Sequence, residues 1–264
     1  MSLPIDPAIA HAHTEGTPLP VLWRDEHLIA IYKPAGWLVH RTGLDAGETR
    51  FIVQTLRDQI GQHVYPLHRL DKGTCGVLLL ALHPEAASRT RTQFENHQIH
   101  KRYLALVRGW APAHCEVDHA LRPDDAPADA PAQAAQTRFA RLAALEHPDA
   151  YDSRFAGTRL SLVQAEPRTG RRHQIRRHLK HIAHPVIGDA THGKGPLNRW
   201  WAERLGLQRL WLHAWSMHLV HPYTQQALQL HSGLQWPTAG ECPPADGDHP
   251  SLLQWQHLLR HFAG

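Results

Sequence analysis

The chain has 264 residues, enough to bury a sizeable core without cross-links, and reads as one domain with appendages. Its three cysteines, Cys75, Cys115 and Cys242, are odd in number and widely spaced, which argues against a disulfide framework or a cysteine-rich zinc site and fits a reducing cytosol. The formal net charge is +4 with 24 histidines held neutral, and the pI of about 9.1 points to a polyanionic partner, because clustered basic groups release counterions from phosphates.

Residues 1–20 lack both a basic start and an apolar run, so they are expected to form a flexible tail and not a secretory signal. The β-prone runs Val21–Trp23 and His27–Lys33 predict a hairpin, and Lys33-Pro-Ala-Gly36 then forces a turn. Phe51, Val53, Leu56 and Ile60 sit at near-helical spacing, which predicts a helix over 48–60 ending at Gly61. Residues 67–81 read as a polar loop followed by a short buried strand. The longest apolar stretch, Val77 to Leu82, is far short of the roughly twenty residues that cross a bilayer, so no membrane association is expected. A helix over 85–96 and a strand over 102–108 follow. The acidic, proline-punctuated stretch from Arg122 to Ala132 predicts a surface loop. Strands are expected over 137–145 and 158–166. Ile175, Leu179 and Ile182 then fall at i, i+4 and i+7, predicting an amphipathic helix over 170–182 whose other faces carry Arg172, Arg176, Arg177 and Lys180. Strands over 210–219 and 226–231 and a terminal helix over 251–262 complete a mixed order that predicts one α+β domain.

Several chemistries lose their usual parts, since the chain has no GxxxxGK[ST] loop, no GxGxxG opening a helix, no HExxH and no GxSxG. From Arg168 to Lys180 six Lys or Arg residues occur with no acid, which a uniformly basic surface would rarely produce and which favours an anionic partner. His178, His181 and His184 recur near Asp189, but Arg176, Arg177 and Lys180 among them oppose a bound cation, so no metal is expected. The most informative segment runs from Leu67 to Ala81. Asp71, flanked by Arg69 and Lys72 in a loop delivered by a buried strand, is a carboxylate held ionised by cations and able to act as nucleophile or base; the alternative is a structural ion pair within a turn. Cys75, entering the aliphatic strand, reads as a small buried hydrophobe rather than a nucleophile.

His68-Arg-Leu-Asp71, followed by Thr74 and Gly76, resembles the HRLDxxTSG signature of the RluA-type pseudouridine synthases. Lys33-Pro-Ala-Gly-Trp-Leu-Val-His40, Lys101-Arg-Tyr103 with Val107-Arg-Gly109, Thr169-Gly-Arg-Arg-His-Gln-Ile-Arg-Arg-His178, His184-Pro-Val-Ile-Gly-Asp189 and Leu210-Trp-Leu-His-Ala214 resemble further segments of that family, in the right order over residues 21–233. The resemblance implies a pseudouridine synthase fold with a mixed, largely antiparallel sheet flanked by helices and an RNA-binding cleft. It implies a catalytic domain over 21–233 with a variable loop at 123–135, and a C-terminal extension over 234–264 with a terminal helix.

For function, the resemblance implies a cofactor-independent isomerisation of uridine to pseudouridine in the cytoplasm. Asp71 matches the catalytic aspartate, Arg176 the arginine that pairs with it, Arg69 the residue that enters the helix space left by a flipped base, and Tyr103 the active-site tyrosine. Lys33, His68, Lys101, Arg102, Arg171, Arg172, Arg177 and Lys180 are the expected RNA contacts. Segments 36–41, 54–64 and 94–99 are most similar to members that modify uridine-65 in the T-stem of tRNA, making tRNA the expected partner of a monomer that needs no protein partner. An rRNA target within the family and a non-catalytic RNA-binding protein are the alternatives. Cys75 stands where the family has serine, exchanging a hydroxyl for a weaker hydrogen-bonding thiol.

Overall fold

The computed structural model describes residues 16–40, 48–124, 126–127, 129–235 and 249–262. Most of the expected N-terminal tail, Arg41, Cys242 and much of the expected C-terminal extension lie outside the described residues. In chain order the elements are β1 (Val21–Arg24), β2 (Leu28–Lys33), α1 (Ile52–Ile60), β3 (Tyr65–Pro66), β4 (Cys75–Ala81), α2 (Pro84–Glu95), β5 (His100–Arg108), β6 (His114–Asp118), β7 (Gln136–His147), β8 (Thr158–Pro167), α3 (Gln174–His181), α4 (Gly195–Leu205), β9 (Leu212–Val220), β10 (Ala227–His231) and α5 (Pro250–Arg260). The chain divides into two compact units, one of residues Arg102–Leu212 and one of the described residues before and after it.

The split unit grows from its first hairpin. Asp25 turns the chain by accepting the N–H groups of His27 and Leu28 at 2.8 and 2.7 Å, and β2 then pairs antiparallel with β4 from Leu28↔Ala81 to Lys33↔Gly76. Every residue of β2 and β4 is buried, which is why both strands read as continuous apolar runs. Leu28, Ala30, Val77 and Leu79 pack with Ala86 and Ala87 of α2 and with Met217, Leu219 and Leu230 of β9 and β10. The strands run in the order β1-β2-β4-β9, with β10 beside β9 and β3 on the end of β4. All pairings are antiparallel except β4 with β9, which touch in parallel only at Cys75↔His213 and Gly76↔Ala214. Gly76 has φ +111, and a Cβ on it would lie 2.1 Å from the Ala214 carbonyl oxygen, so only glycine permits this contact. Helix α1 ends on left-handed Gly61 as its sequence predicts, and His83 caps α2 by accepting the Ala86 N–H.

The Arg102–Leu212 unit is an antiparallel sheet in the order β5-β8-β7-β6, built around the long β7–β8 hairpin. Arg102, Glu166, Arg138 and Glu116 form a cross-strand row of alternating charge, with N···O distances of 3.0 Å for Arg102–Glu166 and Arg138–Glu116. Helix α3 is anchored by one side chain. Gln174 accepts from the Thr169 hydroxyl at 2.7 Å and the Arg171 N–H at 2.9 Å, and donates to the Gln136 carbonyl and the Thr137 hydroxyl, both at 2.9 Å. Among the described residues no helix is long and apolar enough to cross a membrane.

Three elements were not expected from the sequence. β3 has two residues, β6 is a polar edge strand with Val117 alone buried, and α4 follows a Gly-Pro start with its apolar side carried mainly by Leu197, Trp201 and Leu205. β3 and β6 lack the alternating apolar residues that signal a strand, whereas Leu197, Trp201 and Leu205 of α4 do fall at i, i+4 and i+8, the signal that could have found it.

The substitution Gly76→Ala is expected to destabilise the protein by about 3 kcal/mol or more, since it combines an unfavourable φ with a backbone clash; urea denaturation measures it.

Candidate active site and nucleic-acid surface

Asp71 lies on the turn that precedes β4, and the turn is closed by the Thr74 N–H donating to the Asp71 carbonyl at 3.0 Å. Beneath it the Lys33 side chain, wholly buried at the end of β2, donates to the carbonyl oxygens of Pro34, Lys72 and Thr74 at 2.9, 3.2 and 2.7 Å. An ammonium has three protons, and these three acceptors take them. The expectation that Lys33 contacts RNA phosphate is therefore corrected: the side chain has no exposed surface and joins the end of β2 to the residues just after Asp71. The Lys72 carbonyl also receives the Gly36 N–H at 2.8 Å. The Lys72 ammonium turns to Glu48, and that contact, foremost among several, holds the Glu48 carboxyl down to about 2. Asp71 itself is half-buried, and the Arg69 side chain points into solvent-accessible space.

His68 also has a structural task that the sequence did not reveal. Its Nε2 accepts the Leu79 N–H at 3.1 Å and its ring stacks on Phe94 at 5.2 Å, while Lys101 lies 5.8 Å from the same Phe94 ring. Burial, then the Lys101 charge, pushes the imidazole down to about 3, so it stays neutral and its acceptor nitrogen is committed to β4. The half-buried ring keeps its Nδ1–H as a donor. Burial likewise lowers Lys101. Cys75, at the start of β4, places its sulfur 3.2 Å from His213 Nδ1, and His213 Nε2 lies 2.8 Å from the Ser232 hydroxyl. The thiol that replaces the family serine thus keeps a buried hydrogen-bond partner.

In the Arg102–Leu212 unit, Tyr103 is nearly buried on β5, opposite Ala165 of β8, which in turn faces Phe139 of β7. Arg176 is buried on α3 and grips Asp189 with two bonds of 2.7 Å, Nε to Oδ2 and Nη2 to Oδ1. Burial pushes the Asp189 carboxyl up, but Arg176 and the N–H groups of His192 and Thr191 outweigh it and hold the group below its usual value. Asp189 reaches this position because residues 186–187 run beside β5, the Ile187 N–H donating to the Leu106 carbonyl at 2.9 Å. Gly188, at φ +77, permits the chain to pass the Arg209 carbonyl, which a Cβ would meet at 1.6 Å. The sequence places Asp189 near the histidines of 178–184 and within a motif but does not show its pairing with Arg176, thirteen residues away.

The remaining cations are placed unequally. Lys180 and Arg172 are exposed on and beside α3, Arg102 pairs with Glu166, and Arg171 and Arg177 donate to backbone carbonyls of Ala134 and Arg122. His178 is buried between the Thr137 hydroxyl and the His119 carbonyl, each at 3.0 Å, and His184 donates to the Arg108 carbonyl at 2.7 Å. These rings serve the packing of α3 and β5.

Residues 27–181 match the family described as RNA pseudouridylate synthase. The chain is 48% identical over 223 residues to tRNA pseudouridine synthase C of Vibrio cholerae, covering 82% of this chain and 91% of that one. It is 47% identical over 251 residues to tRNA pseudouridine synthase C of Yersinia pestis, covering 92% and 91%. Among solved structures, human RNA pseudouridylate synthase domain containing 4 aligns with a TM-score of 0.62 at 24% identity over 91% of this chain and 93% of that one, a likeness of fold.

Two outcomes follow from the loop. Lys33→Met removes the donor from the Pro34 and Thr74 carbonyls, the Lys72 carbonyl keeping its Gly36 N–H, and is expected to cost about 3 kcal/mol in urea denaturation. Because the folded His68 ring resists the proton that an unfolded ring takes up near 6.5, stability present above that pH is lost as pH falls from 6.5 toward about 3. His68→Gln, compared with wild type by denaturation at pH 7, 5.5 and 4.5, is expected to show a shallower decline.

Proposed function

The chain belongs to the RNA pseudouridylate synthase family, and from that premise we propose that it converts a uridine of tRNA into pseudouridine, at uridine-65 of the T-stem, with Asp71 as the reacting carboxylate. Near-half identity to tRNA-modifying relatives over most of both chains is the observation that carries the reading. In this isomerisation the bond between N1 and C1′ breaks and a bond between C5 and C1′ forms. C5 gives up a proton and N1 gains one, so composition is unchanged and no electron acceptor is required. A carboxylate must reach the sugar or base of an extruded nucleotide, and the clamped turn before β4 offers one that is rigidly held yet partly accessible.

Supporting roles follow the residue types. Arg69, exposed beside Asp71, takes the space left by the extruded base. Tyr103 presents a ring able to stack on uracil and a hydroxyl able to assist proton transfer. Arg176 contributes a fixed guanidinium whose orientation Asp189 sets. Arg171, Arg172, Arg177 and Lys180 contact backbone phosphates, with Lys101 and Arg102 at the start of β5 as further contacts. The enzyme acts as a cytoplasmic monomer within one catalytic domain over residues 21–233.

On unmodified tRNA transcripts in chelator-containing buffer, the wild type is expected to form pseudouridine at a T-stem uridine and Asp71→Asn to form none, with RNA binding retained; a modification map on tRNA and rRNA reads both. Neutralising Arg172, Arg177 and Lys180 together to Gln is expected to weaken tRNA binding and flatten its dependence on salt by roughly two to three in log–log slope.

A further inference from the structure

We propose that the Asp124 carboxylate occupies the place of an RNA backbone phosphate on the arginine cluster at the start of α3, and that tRNA displaces it on binding. The proposal rests on the tRNA-modifying reading above and names a subsite for that substrate.

Asp124 stands in the acidic stretch that the sequence marks as a surface loop, and three basic side chains surround it. Arg177 Nη1 lies 3.3 Å from Oδ1, and Arg172 Nε and His173 Nδ1 lie 3.7 and 3.1 Å from Oδ2. The same stretch supplies carbonyl oxygens to the neighbouring arginines. Arg177 Nη1 donates to the Arg122 carbonyl at 2.6 Å and Arg171 Nε to the Ala134 carbonyl at 3.1 Å. Three of the cations that the sequence points toward RNA are therefore held by oxygens of residues 122–134, which arrive as a phosphodiester's oxygens would.

The exchange is chemically matched. A carboxylate and a phosphodiester each carry one negative charge and two equivalent acceptor oxygens, so one can replace the other on the same guanidinium donors. The contacts are also displaceable: Asp124 is an exposed residue with a side chain about 30% accessible, and Arg172 is exposed, so solvent screens the pairing. RNA adds what the single acid lacks, since adjacent phosphates can engage Arg171 and Lys180 as well and release their counterions.

The same place invites a different ligand. Donor atoms of Asp124, His173 and His192 lie within 4.8 Å of one another, a grouping able to hold a metal ion. The guanidinium groups of Arg172 and Arg177 bear on that carboxylate, and their positive charges oppose a cation beside it.

The test compares wild type with Asp124→Asn, Arg177→Gln and the double variant, using an unmodified tRNA transcript across a salt series, with pseudouridine kinetics and melting temperatures alongside. Asp124→Asn is expected to tighten tRNA binding about three- to fivefold at low salt and to lower KM with kcat unchanged, the gain fading as salt rises. Arg177→Gln is expected to weaken binding more in the Asp124→Asn background than in wild type. Unchanged or weaker binding by Asp124→Asn, with or without a lower melting temperature, makes the acid a structural clamp and overturns the proposal. Micromolar zinc chloride binding to wild type that is lost in both Asp124→Asn and His192→Gln assigns the trio to a cation and overturns it too. If wild type forms no pseudouridine in any RNA while Asp124→Asn still gains affinity for the transcript, the reaction reading fails and the anion subsite stands.

Discussion

A buried ammonium group under a turn is the constraint on which the Asp71 region depends. Placing Lys33 out of water costs several kcal/mol unless its protons are all accepted, and the carbonyls of Pro34, Lys72 and Thr74 accept them. That requirement draws two segments, 33–34 and 72–74, to one point and fixes the turn that opens on Asp71. The register follows, since Lys33 pairs with Gly76 across β2 and β4, and Gly76 in turn lets β4 touch β9. A small neighbourhood of polar bonds therefore fixes where the apolar strand begins, and the apolar strand makes the turn stiff.

The Arg102–Leu212 unit uses a comparable device. Arg176 is buried against Asp189 in two short parallel bonds, and the Thr191 and His192 N–H groups add to the hold on the carboxylate, so removing either charge would break a buried pair. Gln174 uses both ends of its amide to join α3 to β7 and to the preceding turn. Helix α3 thus presents exposed cations on a support whose buried side joins apolar Ile175 and Leu179 to hydrogen-bonded Gln174, Arg176 and His178. For a substrate recognised chiefly through its phosphates, a rigid array of charges costs less ordering on binding than flexible side chains would.

These two arrangements suit an isomerase of structured RNA. The chemistry asks for one well-placed carboxylate and for groups that hold a nucleotide out of its stack, with no redox partner. Binding asks for positive charge that can still let go of its product. The acidic residue resting among the arginines of α3 meets that second need by keeping the array occupied and weakly paired until RNA arrives.

Much of this was legible in the amino-acid order. The sequence located the strands β2, β4, β5, β7 and β8 and the helices α1, α2, α3 and α5 to within a few residues, most directly where continuous apolar runs mark β2 and β4 and helical apolar spacing marks α1 and α3. The motif around Asp71 marked out the segment that the buried Lys33 fastens, and the run from Arg168 to Lys180 marked out the helix that carries exposed cations. What the sequence could not decide was the employment of each polar side chain. Lys33 and His68 look like surface groups in a list of residues, yet one is consumed by three carbonyls and the other by the Leu79 amide; Asp189 and Asp124 gain their meaning from arginines 13 and about 50 positions away. Burial of an apolar stripe is a local property of the chain and can be read from spacing. A hydrogen bond or ion pair is a property of two groups that only the folded backbone brings within reach, and so the tertiary structure alone separates the charges that are paired inside this protein from those left exposed on its surface.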